Sequence, residues 1–266
     1  MTSGRGIRFP RAPRPVFPRF RPSGDYVAPE SVEQERPVFE PSPQIRWDEF
    51  LGFHFEWQQG EHITLLGPTG SGKTMLALEL LPFRDYVMAI ATKQRDPVLY
   101  QLEAKGYVAQ TSMDATTAEV HPRLILRAQL EHGSDSIREQ RDVVHSALLQ
   151  VYRQGGWCVY LDELRYITDY LKLSRDVELL WLQGRSAGIS VVGGTQRPAF
   201  VPLEAYDQAT HVFFWRDNDR RNLERIGGLG AHDSSAIRYE VSHLDKHEVL
   251  YVNTRTGEKY RTKVEV

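Results

Sequence analysis

The run Gly67-Pro68-Thr69-Gly70-Ser71-Gly72-Lys73-Thr74 satisfies G-x-x-x-x-G-K-[ST] at every fixed position, and it constrains the fold more than any other stretch. Glycines there let successive backbone N–H groups turn inward around an anionic triphosphate, where a side chain would block close approach. Lys73 then supplies a point charge between the β- and γ-phosphates, and the Thr74 hydroxyl can ligate Mg²⁺. The flanks agree with this reading. His62-Ile63-Thr64-Leu65-Leu66 reads as a buried strand, and Met75–Leu81 as a helix whose positive N-terminus faces the phosphates. A chance Gly/Ser surface turn would not have a strand before it and a helix after it. The segment therefore predicts binding of a nucleoside triphosphate.

At 266 residues the chain can bury the core of one large α/β domain. Its net charge of −2 hides an asymmetry, because residues 1–24 carry Arg5, Arg8, Arg11, Arg14, Arg19 and Arg21 with no acid, among Pro10, Pro13, Pro15, Pro18 and Pro22. Such a segment cannot bury enough apolar surface to offset its ordering entropy, so it is expected to be disordered. Two roles stay open for it. The arginines, with Phe9, Phe17 and Phe20, could engage nucleic acid or a protein partner, or the tail could simply be solvated. Residues 1–43 are expected to be tail and linker, and residues 44–266 the folded domain. No apolar stretch follows the charges as in a secretory signal, and none approaches the roughly 18 to 20 residues of a membrane span. The single Cys158 excludes an internal disulfide and sits in an apolar strand, which predicts a buried, inert thiol. The nine histidines form no metal-ligand spacing. These features together lead us to expect a soluble, cytoplasmic protein.

The order of elements points to a parallel sheet covered on both faces. Strands are expected at Tyr86–Thr92, Arg123–Ala128, Trp157–Leu161, Ile189–Gly194 and Val212–Trp215, with helices at Pro97–Lys105 and through Val177–Leu182. Ser136 and Glu139 fit a capping box ahead of a helix whose Ile137, Val144, Leu148 and Val151 share one face. The aromatic stretch Trp47, Phe50, Leu51, Phe53, Phe55 and Trp57 suits core packing, with a cover over a nucleotide base as the alternative. Ile237–Leu244, Val249–Asn253 and Tyr260–Val266 read as β, with a turn at Arg255-Thr256-Gly257.

The strand at Trp157–Leu161 runs into Asp162-Glu163. An apolar strand that delivers two acids at its carboxyl end suits a place for Asp162 in the outer or inner shell of Mg²⁺ and activation of the attacking water by Glu163. The plainer reading is an acidic pair that stabilises a helix N-terminus. The phosphate loop upstream favours catalysis, because the two motifs support each other.

The stretch Gly184-Arg185-Ser186-Ala187-Gly188-Ile189-Ser190-Val191-Val192-Gly193-Gly194-Thr195-Gln196-Arg197-Pro198 resembles the helix–strand motif of the FtsK/HerA superfamily of DNA-pumping ATPases. There an R-x-x-G-I sequence precedes an apolar strand ending in T-Q-R-P. Asp219–Gly228 is similar to the segment that follows the last core strand in that superfamily. The resemblance spans about Ile63 to Tyr251 and is specific at Thr195–Pro198. It implies an α/β P-loop NTPase of the RecA-like (ASCE) class, with ATP as the nucleotide and double-stranded DNA as the partner. It also implies a homo-oligomeric, hexameric ring. Under it Gln196 senses the γ-phosphate, as its amide can donate to a phosphate oxygen and accept from water. Arg185 takes the place of an arginine finger that reaches the adjacent subunit's nucleotide, ahead of Arg197; Arg220 and Arg221 are also available, and any of the four could instead be a plain surface charge. The layout resembles that of small viral genome-packaging ATPases, a resemblance that does not extend to the basic arm. Three rivals remain: an ATPase for virion assembly or secretion, a slow nucleotide-dependent assembly switch, and a small-molecule kinase. The acid pair and Gln196 argue against the switch, and the T-Q-R-P strand end against the kinase.

Overall fold

The computed structural model describes residues 39–92, 97–128, 134–227 and 234–264. The arginine-rich arm, Gly228 and the final two residues, on which some sequence expectations fell, lie outside that set.

Parallel strands buried on both faces read as continuous apolar runs, and five such runs form the centre of the sheet. In chain order the strands are β1 (His62–Leu66), β2 (Val87–Ile90), β3 (Val108–Gln110), β4 (Arg123–Leu126), β5 (Cys158–Leu161), β6 (Ser190–Thr195), β7 (Ala209–Trp215), β8 (Glu248–Asn253) and β9 (Lys259–Lys263). They form one sheet in the order β3-β4-β2-β5-β6-β1-β7-β8-β9. The pairs from β3 to β7 are parallel, and β8 and β9 add on as an antiparallel ribbon. β6 thus lies between β1, which leads into the glycine loop, and β5, which leads into the acid pair.

The helices are α1 (Trp47–Glu49), α2 (Lys73–Leu80), α3 (Pro97–Ala104), α4 (Ala115–Val120), α5 (Ser134–Gln154), α6 (Ser174–Gln183), α7 (Glu204–Asp207), α8 (Arg220–Gly227) and α9 (Ser234–His243). Strand side chains alternate between two cores, as the period of two requires. Met88, Ile90, Val159 and Leu161 pack toward α5 and α6 through Val144, Leu148, Val177 and Trp181. Val87, Ala89, Cys158 and Tyr160 pack on the other face with Leu76 and Leu80 of α2 and Leu99 and Leu102 of α3. The aromatic stretch belongs to this second core. Phe50 is fully buried, its ring 4.8 Å from that of Tyr251 in an edge arrangement, while Phe53 is exposed.

Ahead of α1, the chain runs beside the ribbon. The Ile45 N–H donates to the Arg261 carbonyl at 2.9 Å, and the Arg261 N–H to that of Pro43 at 2.8 Å. The buried Glu240 carboxylate accepts from the Ser42 backbone N–H and hydroxyl at 3.0 and 2.9 Å. These contacts cover what would otherwise be an open sheet edge.

Three expectations need correction. Ile237–Leu244 is not β: it falls in α9 and its exit, with Ala236, Ile237, Glu240, Val241 and Leu244 buried at helical spacing. Ile, Tyr and Val there favour a strand locally, and burial of one helical stripe overrides that preference. Ser136 is no cap, because α5 begins at Ser134 and the Ser136 hydroxyl instead accepts from Gln140 Nε2 at 3.2 Å. Ile137 is exposed and leaves the α5 stripe to Val144, Leu148 and Val151. The edge strand β3 was not anticipated, since it is three residues long with two of them exposed.

Candidate functional site

Open parallel sheets bind ligands at the carboxyl ends of their strands, and the sequence motifs converge there. The loop from Gly67 to Gly72 connects β1 to α2. Gly70 and Gly72 adopt φ of 74° and 117°, values that residues with a Cβ rarely take. Gly67 is required for a different reason: a Cβ there would lie 2.7 Å from Cβ of Trp215 at the end of β7. Lys73 is buried, and its ammonium donates to the Gly67 and Pro68 carbonyls at 2.6 and 2.8 Å, so the charge sits inside the curl of the loop.

Side chains at the ends of β5 and β6 meet the loop and the start of α2. The Thr74 hydroxyl donates to Asp162 Oδ1 at 3.1 Å, and the Tyr160 hydroxyl donates to the same oxygen at 2.7 Å. The Thr69 hydroxyl donates to Gln196 Oε1 at 2.7 Å, which joins the end of β6 to the tip of the loop. Glu163 follows Asp162 directly and is half-buried, with its carbonyl accepting from the Tyr166 N–H at 3.1 Å. β5 and β6 approach this closely because residue 194 is glycine: a Cβ there would be 2.6 Å from the Asp162 carbonyl oxygen.

The donor set fits Mg²⁺. Two cis ligands of an octahedral ion with bonds near 2.1 Å are about 3.0 Å apart, and the Thr74 and Asp162 oxygens are separated by 3.1 Å. Among the described residues there is no cluster of three or more His, Cys, Asp or Glu that could hold a metal alone. A metal here would therefore complete its shell with phosphate oxygens and water, which is the usual Mg²⁺ arrangement.

Arg185 lies elsewhere. It sits in the 3₁₀ turn Gly184–Ala187 ahead of β6, exposed, with its backbone against Gly60, which precedes β1. With Arg255 it lines a cavity of about 370 Å³ at the amino ends of the strands. The six residues of β6 separate it from the loop of its own chain by about 20 Å. Arg197 is exposed beside Gln196, and Arg220 and Arg221 are exposed at the start of α8. Cys158 is fully buried, which pushes its thiol up to about 12 and makes it a poor nucleophile.

Sequence reasoning missed Trp215 and Tyr160. Trp215 ends the strand next to β1, so its place at a carboxyl strand end was the available signal. Tyr160 is two residues before Asp162 and projects to the same side of β5, as alternation along a strand would have indicated.

No protein-family model and no curated protein matches this sequence. Solved structures do. The genome packaging NTPase B204 from Sulfolobus turreted icosahedral virus 2, in complex with sulfate, matches with a TM-score of 0.59 at 14% identity, over 79% of this chain and 99% of that one. The same protein in complex with AMPPCP matches with a TM-score of 0.56 at 15% identity, over 78% and 100%. VirB4 of Thermoanaerobacter pseudethanolicus matches with a TM-score of 0.58 at 12% identity, over 77% and 89%. At such identities the likeness establishes a shared fold, here a P-loop NTPase fold that covers most of each chain.

Proposed function

We propose that this chain is an ATPase motor of the FtsK/HerA type that hydrolyses ATP with Mg²⁺ to move double-stranded DNA, in packaging or transfer of a viral or mobile-element genome. The observation that carries the reading is the meeting of Lys73, Thr74, Asp162 and Gln196 around one glycine loop, with Glu163 adjacent. In this reading the backbone N–H groups from Gly67 to Thr74 cradle the phosphates, and Lys73 leaves the loop carbonyls for the β- and γ-oxygens. Thr74 and Asp162 would hold Mg²⁺, and the ion would supply positive charge to offset what develops on the phosphates. Glu163 takes a proton from the attacking water as general base. Gln196, held by Thr69, orients that water and reports the γ-phosphate to β6.

Arg185 acts on a neighbouring subunit's nucleotide in a hexameric ring, consistent with its distance from the loop of its own chain. A total charge of −2 means that DNA contacts cluster locally, on the ring lumen or on the arginine-rich arm. No described helix is long and apolar enough to cross a membrane. The motor would work in the cytoplasm of a host cell or with the virion. What supports the setting is that B204 is a genome packaging NTPase with the same fold.

Two variants test the assignment. Glu163→Gln should bind ATP as the wild type does and lose turnover; normal turnover refutes Glu163 as the base. Arg185→Ala mixed with Lys73→Ala should regain hydrolysis at hybrid interfaces, and no recovery at any mixing ratio refutes a finger acting in trans.

A further inference from the structure

The loop cavity extends past the place of the phosphates. It measures about 410 Å³ and is lined by the stretch Gly70–Met75 together with Trp215, His247 and Val264. The last two come from the carboxyl-terminal ribbon: His247 lies in the turn before β8, and Val264 directly follows β9. Neither belongs to the phosphate machinery described above.

Trp215 is 2% exposed and its indole Nε1 has no hydrogen-bond partner among the described residues. The indole packs against the loop, with Nε1 3.4 Å from where a Cβ on Gly72 would stand. A buried N–H donor without a partner is costly and uncommon, and one at the wall of an open cavity suits a ligand acceptor. His247 Nδ1 lies 3.4 Å from the Ser71 carbonyl, which brings the exposed imidazole to the cavity rim. Its backbone has a φ of 63°, a left-handed value.

A triphosphate that has its γ-end at Gln196 and Asp162 runs along the loop toward Thr74 and Met75 at the start of α2. Its nucleoside then enters this cavity. The lining matches a nucleoside: one N–H donor near the sugar–phosphate junction, a flat imidazole, and an apolar wall from Val264. We infer that His247, Val264 and the Trp215 edge form the nucleoside subsite, so that the carboxyl-terminal ribbon reads the base while the loop reads the phosphates. The inference rests on the triphosphate-binding reading above and adds residues outside every motif in the chain.

Binding of ADP and of inorganic tripolyphosphate, both with Mg²⁺ and followed by calorimetry, tests it. His247→Gly removes the ring and keeps the left-handed backbone free of strain. It should weaken ADP by about tenfold, a typical loss for one well-placed contact, and leave tripolyphosphate affinity unchanged. Equal ADP affinity in variant and wild type overturns the inference, as does a parallel loss for both probes. Independently, ADP should change the tryptophan emission of the wild type, and that change should vanish in Trp215→Phe. A change that persists in Trp215→Phe removes Trp215 from the subsite. Wild-type protein that binds neither probe overturns the triphosphate reading together with this inference, whereas the outcomes for His247→Gly bear on the subsite alone.

Discussion

Gly194→Ala should uncouple nucleotide binding from turnover. Residue 194 is the penultimate residue of β6, beside the exit of β5, and its added Cβ would lie 2.6 Å from the Asp162 carbonyl oxygen and 3.6 Å from that of Leu161. Ordinary carbon–oxygen contacts begin near 3.4 Å, so the two strand ends must separate by about 0.8 Å. The neighbour is backbone, and β5 is hydrogen-bonded to β2 and β6 on its two sides, so no side chain can swing away to absorb the clash. Asp162 and Glu163 then move away from Thr74. A displacement approaching 1 Å in a catalytic constellation costs roughly a hundredfold in rate, while overpacking costs about 1–3 kcal/mol of stability. The three atoms nearest the added Cβ all belong to Leu161 and Asp162, not to the loop from Gly67 to Thr74, so nucleotide affinity should stay within about threefold of wild type. Gly193→Ala is the control. Its Cβ would meet Leu164 Cδ1 at 2.9 Å and Trp181 Cζ2 at 3.1 Å, which are side-chain atoms of the core. That variant should lose a similar 1–3 kcal/mol and keep most of its turnover. Steady-state ATP hydrolysis, ADP titration and urea unfolding separate the three quantities. Wild-type turnover in Gly194→Ala, or equal loss of turnover in Gly193→Ala, would refute the reasoning.

Two further outcomes follow from burial. His62 is 2% exposed and accepts from the Val191 N–H at Nδ1, and burial lowers its pKa to about 4. The unfolded chain binds that proton near pH 6.5, so the stabilisation is complete above pH 6.5 and is lost as pH falls toward 4, up to about 3 kcal/mol. Urea unfolding at pH 7 and pH 4.5 should show a smaller loss in His62→Asn than in wild type; equal losses contradict it. Cys158, fully buried with its thiol raised, should resist an aromatic disulfide reagent in native protein and react at once in urea; rapid native labelling contradicts its place in the core.

The legible parts of this fold were those where local pattern and tertiary environment agree. β1, β5 and β6 are apolar because both faces are covered, so their sequences identify them without knowledge of their neighbours. The loop and the acid pair were legible because phosphate and metal chemistry restrict the residue types. What failed depends on distant contacts. Ile237, Val241 and Leu244 stand at i, i+4 and i+7, a helical spacing that the strand preference of Ile, Tyr and Val masked until burial of that stripe showed it. The bond from Thr69 to Gln196 spans 127 positions, and the contact of His247 with Ser71 spans 176. Only the strand order, with β6 between β1 and β5, brings the Gln196 amide to the loop. Arg185 stands out in the sequence only through its resemblance to a motif, and the sheet puts it at the strand ends opposite the loop, a separation that no local pattern reveals.

Whether the protein couples ATP to duplex DNA is decided by steady-state ATP hydrolysis of purified protein, with and without long double-stranded DNA and with Glu163→Gln as the blank. A DNA motor should show hydrolysis that duplex DNA stimulates severalfold and that the variant lacks. Hydrolysis indifferent to DNA would contradict the motor and point to an assembly ATPase, and absence of hydrolysis under both conditions would contradict the catalytic assignment itself.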